Sequence, residues 1–187
     1  MAAIADAGLE KLTMAGLGRE VGMSSGHLLY YFRSKDELLL RTLEWSEERL
    51  GVERRAALAR QVPVRERLDA YVRLYLPRAA GDPHWTLWLE LWNRVRALDD
   101  EARGRLLDIE LSWHRDLVAL LVEGASRGEL RAVDADRCAT RIRALLDGFS
   151  THVAIGLPGS EPADVLAHVG DFFDETLAPG DGARGGA

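Results

Sequence analysis

Cysteine is almost missing from this chain. Cys138 stands alone among 187 residues, which excludes an internal disulfide framework and suits the reducing cytoplasm. Lysine is nearly as scarce: Lys11 and Lys35 are the only two, and the remaining basic residues are arginines. No apolar run approaches the roughly 20 residues that cross a bilayer. The opening MAAIADAGLEKL has neither the basic start nor the apolar centre of a secretion signal, so no membrane partner is expected. Positive charge is in deficit overall. A formal charge of −6 argues against a protein that coats nucleic acid indiscriminately, while leaving room for a local basic patch. The five histidines, His27, His84, His114, His152 and His168, show no paired ligand spacing, and one cysteine cannot build a zinc site. A glycine-rich phosphate loop and a nucleophile-elbow serine are also lacking. No catalytic residue, metal or cofactor is therefore expected, and the chain does not read as an enzyme. Asp99-Asp100-Glu101 reads as a solvated turn. Arg137 and Arg141 flank Cys138 and could lower its pKa, yet a lone cysteine in a helix is usually inert.

What the chain has in quantity is helical periodicity. Clean alternation is missing, whereas apolar residues recur at three- and four-residue spacing along most of the length. The spacing predicts an all-α fold of about nine helices. A short first helix spans about Ala2 to Leu12. Thr13 caps a second that runs to Val21, and Gly22 ends it. Ser24 or Ser25 caps a third through Phe32. Ser34-Lys35-Asp36-Glu37 reads as a capping box, with Glu37 reaching back, and opens a long helix to about Arg60. Val64 to Pro77, then Asp82-Pro83 onward, then about Arg103 to Ser126, Asp134 to Ile155 and Pro162 to Leu177 supply the rest. The glycine-rich tail, PGDGARGGA, is expected to be mobile. Three divisions follow: a helix-turn-helix domain over 1–45 with an abbreviated first helix, a ligand-binding and dimerisation domain over 46–178, and the tail over 179–187.

The run LTMAGLGREVGMSSGHLLYYFRSKDELL carries the most specific signal. Leu17 and Val21 give one short helix an inner face, Gly22 and Met23 make the turn, and Leu28, Leu29 and Phe32 hold the next helix down. Ser24, Ser25, Gly26, His27, Tyr30 and Tyr31 are left on its outer side, where small residues and hydroxyls suit a major groove. Lys35 falls in the next helix's first turn, a place that favours phosphate. Gly16 and Gly18 lie inside the second helix at a cost of about 0.5–1 kcal/mol each. Residues 1–45 carry five basic and six acidic side chains, so DNA affinity rests on the placement of Arg19, Arg33, Lys35 and Arg41.

Position by position, this run resembles the DNA-binding module of the tetracycline-repressor (TetR) family. WTLWLELWNRVR and LLDGFSTHV look like the regulatory domain of the subset that includes betaine regulators. The resemblance implies a homodimeric transcriptional regulator, usually a repressor, that binds a palindromic double-stranded DNA operator and is released by a small-molecule effector. It implies phosphate contacts from Thr13, Tyr31 and Lys35, and base contacts from Ser25, Gly26, His27 and Tyr30. A second reading stays open: a helical small-molecule-binding or interaction protein that keeps the architecture without reading DNA.

Two further groups complete the expectation. Trp85, Trp88 and Trp92 form one stripe at i, i+3 and i+7. Aromatic faces with a nearby carboxylate suit an ammonium; the expected effector is cationic or amphipathic, with an uncharged hydrophobic one as its competitor, and the candidate site is Tyr71, Tyr75, Trp88, Trp92, Glu110, Trp113 and His114. Taken singly, each of these residues is better explained without a ligand: the aromatics as core packing, and Glu110 with His114 as a surface pair. The last two helices carry broad apolar faces with small residues beside them, giving a candidate dimer interface of Leu145, Gly148, Phe149, Val153, Leu166, Val169 and Phe173.

Overall fold

A computed structural model describes residues 13–179; the first helix anticipated before Thr13 and most of the glycine-rich tail lie outside the described residues. Within them the fold is all-α, with eight helices and no strand among the described residues. They are α1 (Met14–Val21), α2 (Ser25–Phe32), α3 (Lys35–Leu58), α4 (Val64–Tyr75), α5 (Pro83–Arg94), α6 (Asp100–Ser126), α7 (Ala135–Ala154) and α8 (Pro162–Leu177). No helix among them is long and apolar enough to cross a membrane.

Most boundaries are set by local side-chain chemistry. Thr13 Oγ1 accepts the Gly16 amide at 2.9 Å, Ser24 Oγ the His27 amide at 3.1 Å and Ser34 Oγ the Glu37 amide at 3.0 Å. Each removes one of the orphan donors of a helix start. Asp82 accepts from His84 and Trp85, with Pro83 at the first helical position, and Asp134 accepts from Arg137. The capping box at Ser34 is only half made. The Glu37 carboxylate does not return to Ser34, whose amide bonds Phe32 O at 2.5 Å; it is drawn instead to Arg41 and Arg105. The expected turn at 99–101 is also corrected. Asp99 Oδ1 caps the Ala102 amide at 2.8 Å, and Asp100 and Glu101 form the first turn of α6, where acidic side chains suit the helix dipole.

The helices form two compact units that do not follow chain order. One gathers the described residues up to Arg49 with Gly81–Ile109, so α1, α2 and the start of α3 share a core with α5 and the start of α6. Leu28, Leu39, Leu40, Leu43, Leu87 and Leu91 are buried there. The other gathers Leu50–Ala80 with the chain from Glu110 onward, and in it α4 packs against α7 and α8. Leu68, Tyr71, Leu117, Ile142, Leu146 and Phe173 are each under 2% exposed there. Each such side chain contributes about 1.5–3 kcal/mol by leaving water.

Candidate functional site

The reading head is built by α1 and α2, which pack on each other through a tight turn. Gly22 closes α1 in the left-handed region at φ 70°. Gly18 is not merely tolerated in α1: it is buried, and a Cβ there would run into the carbonyl oxygen of Met23 and crowd Ser25 N. The close approach of the turn, rather than poor helix design, explains this glycine. Two apolar assignments are corrected. Val21 is 52% and Leu29 43% exposed, so neither belongs to the inner face. Leu28 and Phe32, one turn apart, face inward, and Leu29 lies about 100° round the helix from Leu28.

Ser24, Ser25, Gly26, His27, Tyr30 and Tyr31 all stand exposed, as does the cap residue Thr13; Tyr30 reaches 82%. The rings form one group: His27 and Tyr31 have centroids 5.2 Å apart, and Tyr30 meets Tyr31 edge-on at 5.6 Å. At Gly26 an added Cβ would meet only ordinary contact with Ser24, so folding does not demand a glycine there. Lys35 is half-buried at the start of α3, Arg19 and Arg33 are exposed, and Arg41 is paired with Glu37 at 2.9 Å and Glu44 at 3.5 Å.

The start of α3 is clamped by two arginines of the same unit. Arg105 in α6 bonds Glu44 at 2.7 Å and Glu37 at 3.0 Å, and Arg94, closing α5, bonds Asp36 at 3.2 Å. Burial alone would push the Glu37 carboxyl up, but hydrogen bonds and charge from Arg105 and Arg41 together bring it below its ordinary value.

Candidate effector residues divide between the units. Trp88 and Trp92 lie with Trp85 in the first unit. Trp92 is half-buried, with its ring 5.8 Å from Trp85 and 5.5 Å from Trp88. A carboxylate that sequence reasoning missed stands among them: Glu47 of α3 is 7% exposed. Trp88 Nε1 donates to Glu47 Oε1 at 3.1 Å, and His84 Nε2 lies 3.0 Å from the same oxygen. Trp88 Nε1 also lies 3.2 Å from His84 Nε2, and His84 Nδ1 lies 2.9 Å from the Ser46 hydroxyl, so the donor at each ring nitrogen is set by the tautomer. The spacing of His84 and Trp88, one turn apart, was visible in the sequence. The approach of Glu47, from a helix 37 residues earlier, was not.

Tyr71, Tyr75, Trp113, Glu110 and His114 belong to the second unit. Tyr71 and Tyr75 stack at 6.0 Å, and both meet Trp113 edge-on. The face of Trp113 already carries a cation: the Arg54 guanidinium lies 3.9 Å from the ring centroid, held by Asp116 at 2.7 Å and Ser112 at 3.0 Å. Glu110 and His114 do not form a pair. Glu110 binds Arg143, and His114 binds Asp136 at 2.9 Å, each reaching a separate residue of α7. Tyr75 donates to Asp147, and burial pushes both the Tyr75 hydroxyl and the Asp147 carboxyl up. Cys138 is shifted against the sequence expectation. Burial raises its thiol more than Arg141 and Arg131 lower it.

Along α7 and α8, Val153, Val169 and Phe173 are buried within this one chain, which leaves them no surface for a second copy. Leu145, Phe149 and Leu166 are half-buried and Gly148 is exposed. Beside Leu145 an open cleft of about 500 Å³ is lined by Arg131, Arg137, Arg141, Cys138 and Phe172.

Comparison with known proteins agrees with this architecture. Residues 1–42 match the family described as bacterial regulatory proteins, tetR family, and residues 63–178 match the BetI-type transcriptional repressor, C-terminal. The HTH-type transcriptional regulator BetI of Agrobacterium fabrum is 32% identical over 89% of this chain and 78% of its own length. BetI of Brucella anthropi is 29% identical over 87% of this chain and 81% of its own. A Saccharomonospora viridis protein described as a transcriptional regulator, crystallised in complex with choline, superposes with a TM-score of 0.84 at 28% identity, covering 94% of this chain and 92% of that one. The chain belongs to the TetR family of DNA-binding transcriptional regulators, with a C-terminal domain of the BetI repressor type.

Proposed function

We propose that this repressor acts as a homodimer, binds a palindromic operator through α2, and leaves it when a small cationic effector binds. The observation that carries the DNA-reading part is the outer face of α2, where polar and aromatic side chains stand clear of the core beside a flat patch at Gly26. In this reading Ser25, His27 and Tyr30 face base edges with Ser24 at the helix start. Thr13, Tyr31 and Lys35 hold phosphates. Two heads related by a twofold axis would sit about 34–36 Å apart, or a multiple, matching half-sites on one face of the duplex. The exposed and half-buried residues of α7 and α8, Leu145, Gly148, Phe149 and Leu166, form the interface. The choline complex of the Saccharomonospora viridis protein and the aromatic groups in this chain together support a cationic effector.

Fluorescence anisotropy with DNA from upstream of the gene tests the reading at two salt concentrations. Saturable binding is expected to exceed that of scrambled DNA and weaken as salt rises. Tyr30→Ala is expected to lose about tenfold or more, and Lys35→Gln to reduce the salt slope by about one. Equal affinity for operator and scrambled DNA sinks it. Added choline is expected to lower the anisotropy.

A further inference from the structure

We propose that the cleft between α7 and α8 binds an amphipathic organic anion. Arg131, Arg137 and Arg141 hold its carboxylate, and Leu145 and Phe172 carry its apolar chain. The site lies wholly in the second unit and shares no residue with the aromatic groups, so it goes beyond the cationic effector. Arg137 and Arg141 stand one turn apart on one face of α7, with Leu145 a further turn along. Arg131 reaches the cleft from the turn before α7. Its amide donates to Leu177 O at 2.9 Å, which ties that turn to the end of α8. All three arginines are exposed, and none forms an ion pair with another described residue.

This sets them apart from other arginines of the same unit. Arg54 is answered by Asp116, Arg67 by Glu123 and Arg143 by Glu110. Asp134 is the one acidic residue on the cleft, and its carboxylate caps α7 by accepting the Arg137 amide at 3.1 Å. The charges of Arg131 and Arg141 both act on the Cys138 thiol, so two of the cations converge on one spot. Grouped like charges repel, and an anion entering the cleft relieves that repulsion. Arginine suits the task, because its planar fork meets a carboxylate with two parallel hydrogen bonds. The half-buried Leu145 and Phe172 add an apolar surface that a bare inorganic ion cannot use. A volume of about 500 Å³ lies in the range that holds a small organic molecule. Leu145 also belongs to the proposed dimer interface, so the cleft meets that interface at one end.

The test compares octanoate with octan-1-ol, which keeps the chain without the charge, and with inorganic phosphate, which keeps charge without the chain. Calorimetry on the full chain gives the dissociation constants. The rate at which N-ethylmaleimide labels Cys138, the sole cysteine, reports where binding occurs. Octanoate is expected to bind about tenfold or more tighter than either competitor and to slow the labelling. Arg137→Gln combined with Arg141→Gln is expected to lose that preference. Arg115→Gln, at an exposed arginine of α6 off the cleft, keeps it. Arg131→Gln alone serves if the double variant does not fold. No heat with octanoate, equal affinity for octanoate and octan-1-ol, or an octanoate affinity untouched by these cleft changes overturns the proposal. So does labelling that proceeds at full rate under saturating octanoate. A Cys138 that labels only in a monomer carrying Phe149→Asp and Leu166→Asp also overturns it, because the second copy then fills the cleft.

Discussion

At the scale of single residues, two glycines of the reading head have opposite reasons to exist. Gly18 is set by packing, because any side chain there meets the Met23 carbonyl. Gly18→Ala is expected to destabilise by about 1–3 kcal/mol through overpacking, even though alanine is the better helix former by about 1 kcal/mol. Thermal melting checks the sign: a raised melting temperature would refute the packing account. Gly26 faces open space, so Gly26→Ala should melt within about 0.5 kcal/mol of the parent. Its expected cost is in operator affinity, read by anisotropy. The packing reason for Gly18 was not legible beforehand, since in the sequence it looks only like a costly glycine in a helix, whereas Gly26 already reads as a small residue suited to a groove. Caps were legible, because Thr13, Ser24, Ser34 and Asp82 act on amides two or three residues away. Val21 and Leu29 were misread because hydrophobicity alone does not say which way a side chain points on an eight-residue helix.

At the scale of elements, α3 is the piece that ties the reading head to the rest of its unit. Arg105 grips it at Glu37 and Glu44, and α5 is fastened to it at two places, Trp88 to Glu47 and Arg94 to Asp36. Glu37 has a folded pKa below its ordinary 4.5, so its stabilising contribution is complete above that pH and is lost as pH falls through the lowered value. Arg105→Gln is expected to cost about 1–2 kcal/mol near neutrality, between the values for exposed and buried pairs. The cost should shrink as pH falls through that lowered value, once Glu37 is protonated with or without its partner. Urea unfolding at several pH values reads this directly, and a pH-independent cost would show that the arginine acts through packing alone. Arg94→Gln is expected to leave effector binding within about twofold while shrinking the factor by which effector weakens operator binding, typically 5–150-fold in coupled proteins. Titrating operator with and without choline measures that factor, and an unchanged factor would mean the Asp36 tie transmits nothing. The length and order of these helices were written in the periodicity. Their ion pairs were not, because partners such as Asp36 and Arg94 lie 58 residues apart and only packing brings them together.

At the scale of the whole molecule, the proposed pairing of two chains would decide affinity. Phe149 and Leu166 are half-buried on α7 and α8, and Phe149 stacks on His168 at 5.7 Å. Phe149→Asp with Leu166→Asp is expected to yield a folded monomer by sedimentation velocity. Operator affinity should fall by about 10²-fold or more, because two linked heads bind with an avidity that single heads lack. A dimer that survives both changes would place the interface elsewhere. The reading head, meanwhile, is sparing in charge. Arg41 is engaged by Glu37 and Glu44, and the chain as a whole is acidic at −6. Non-specific hold on a duplex comes almost wholly from phosphate neutralisation, so a head with few available cations grips random sequence weakly and lets go quickly. Such a regulator spends little of its time parked on the rest of the chromosome. It is expected to reach its operator through repeated collisions from solution more than through long slides along the double helix, and weak, steeply salt-dependent anisotropy with random duplex would bear this out.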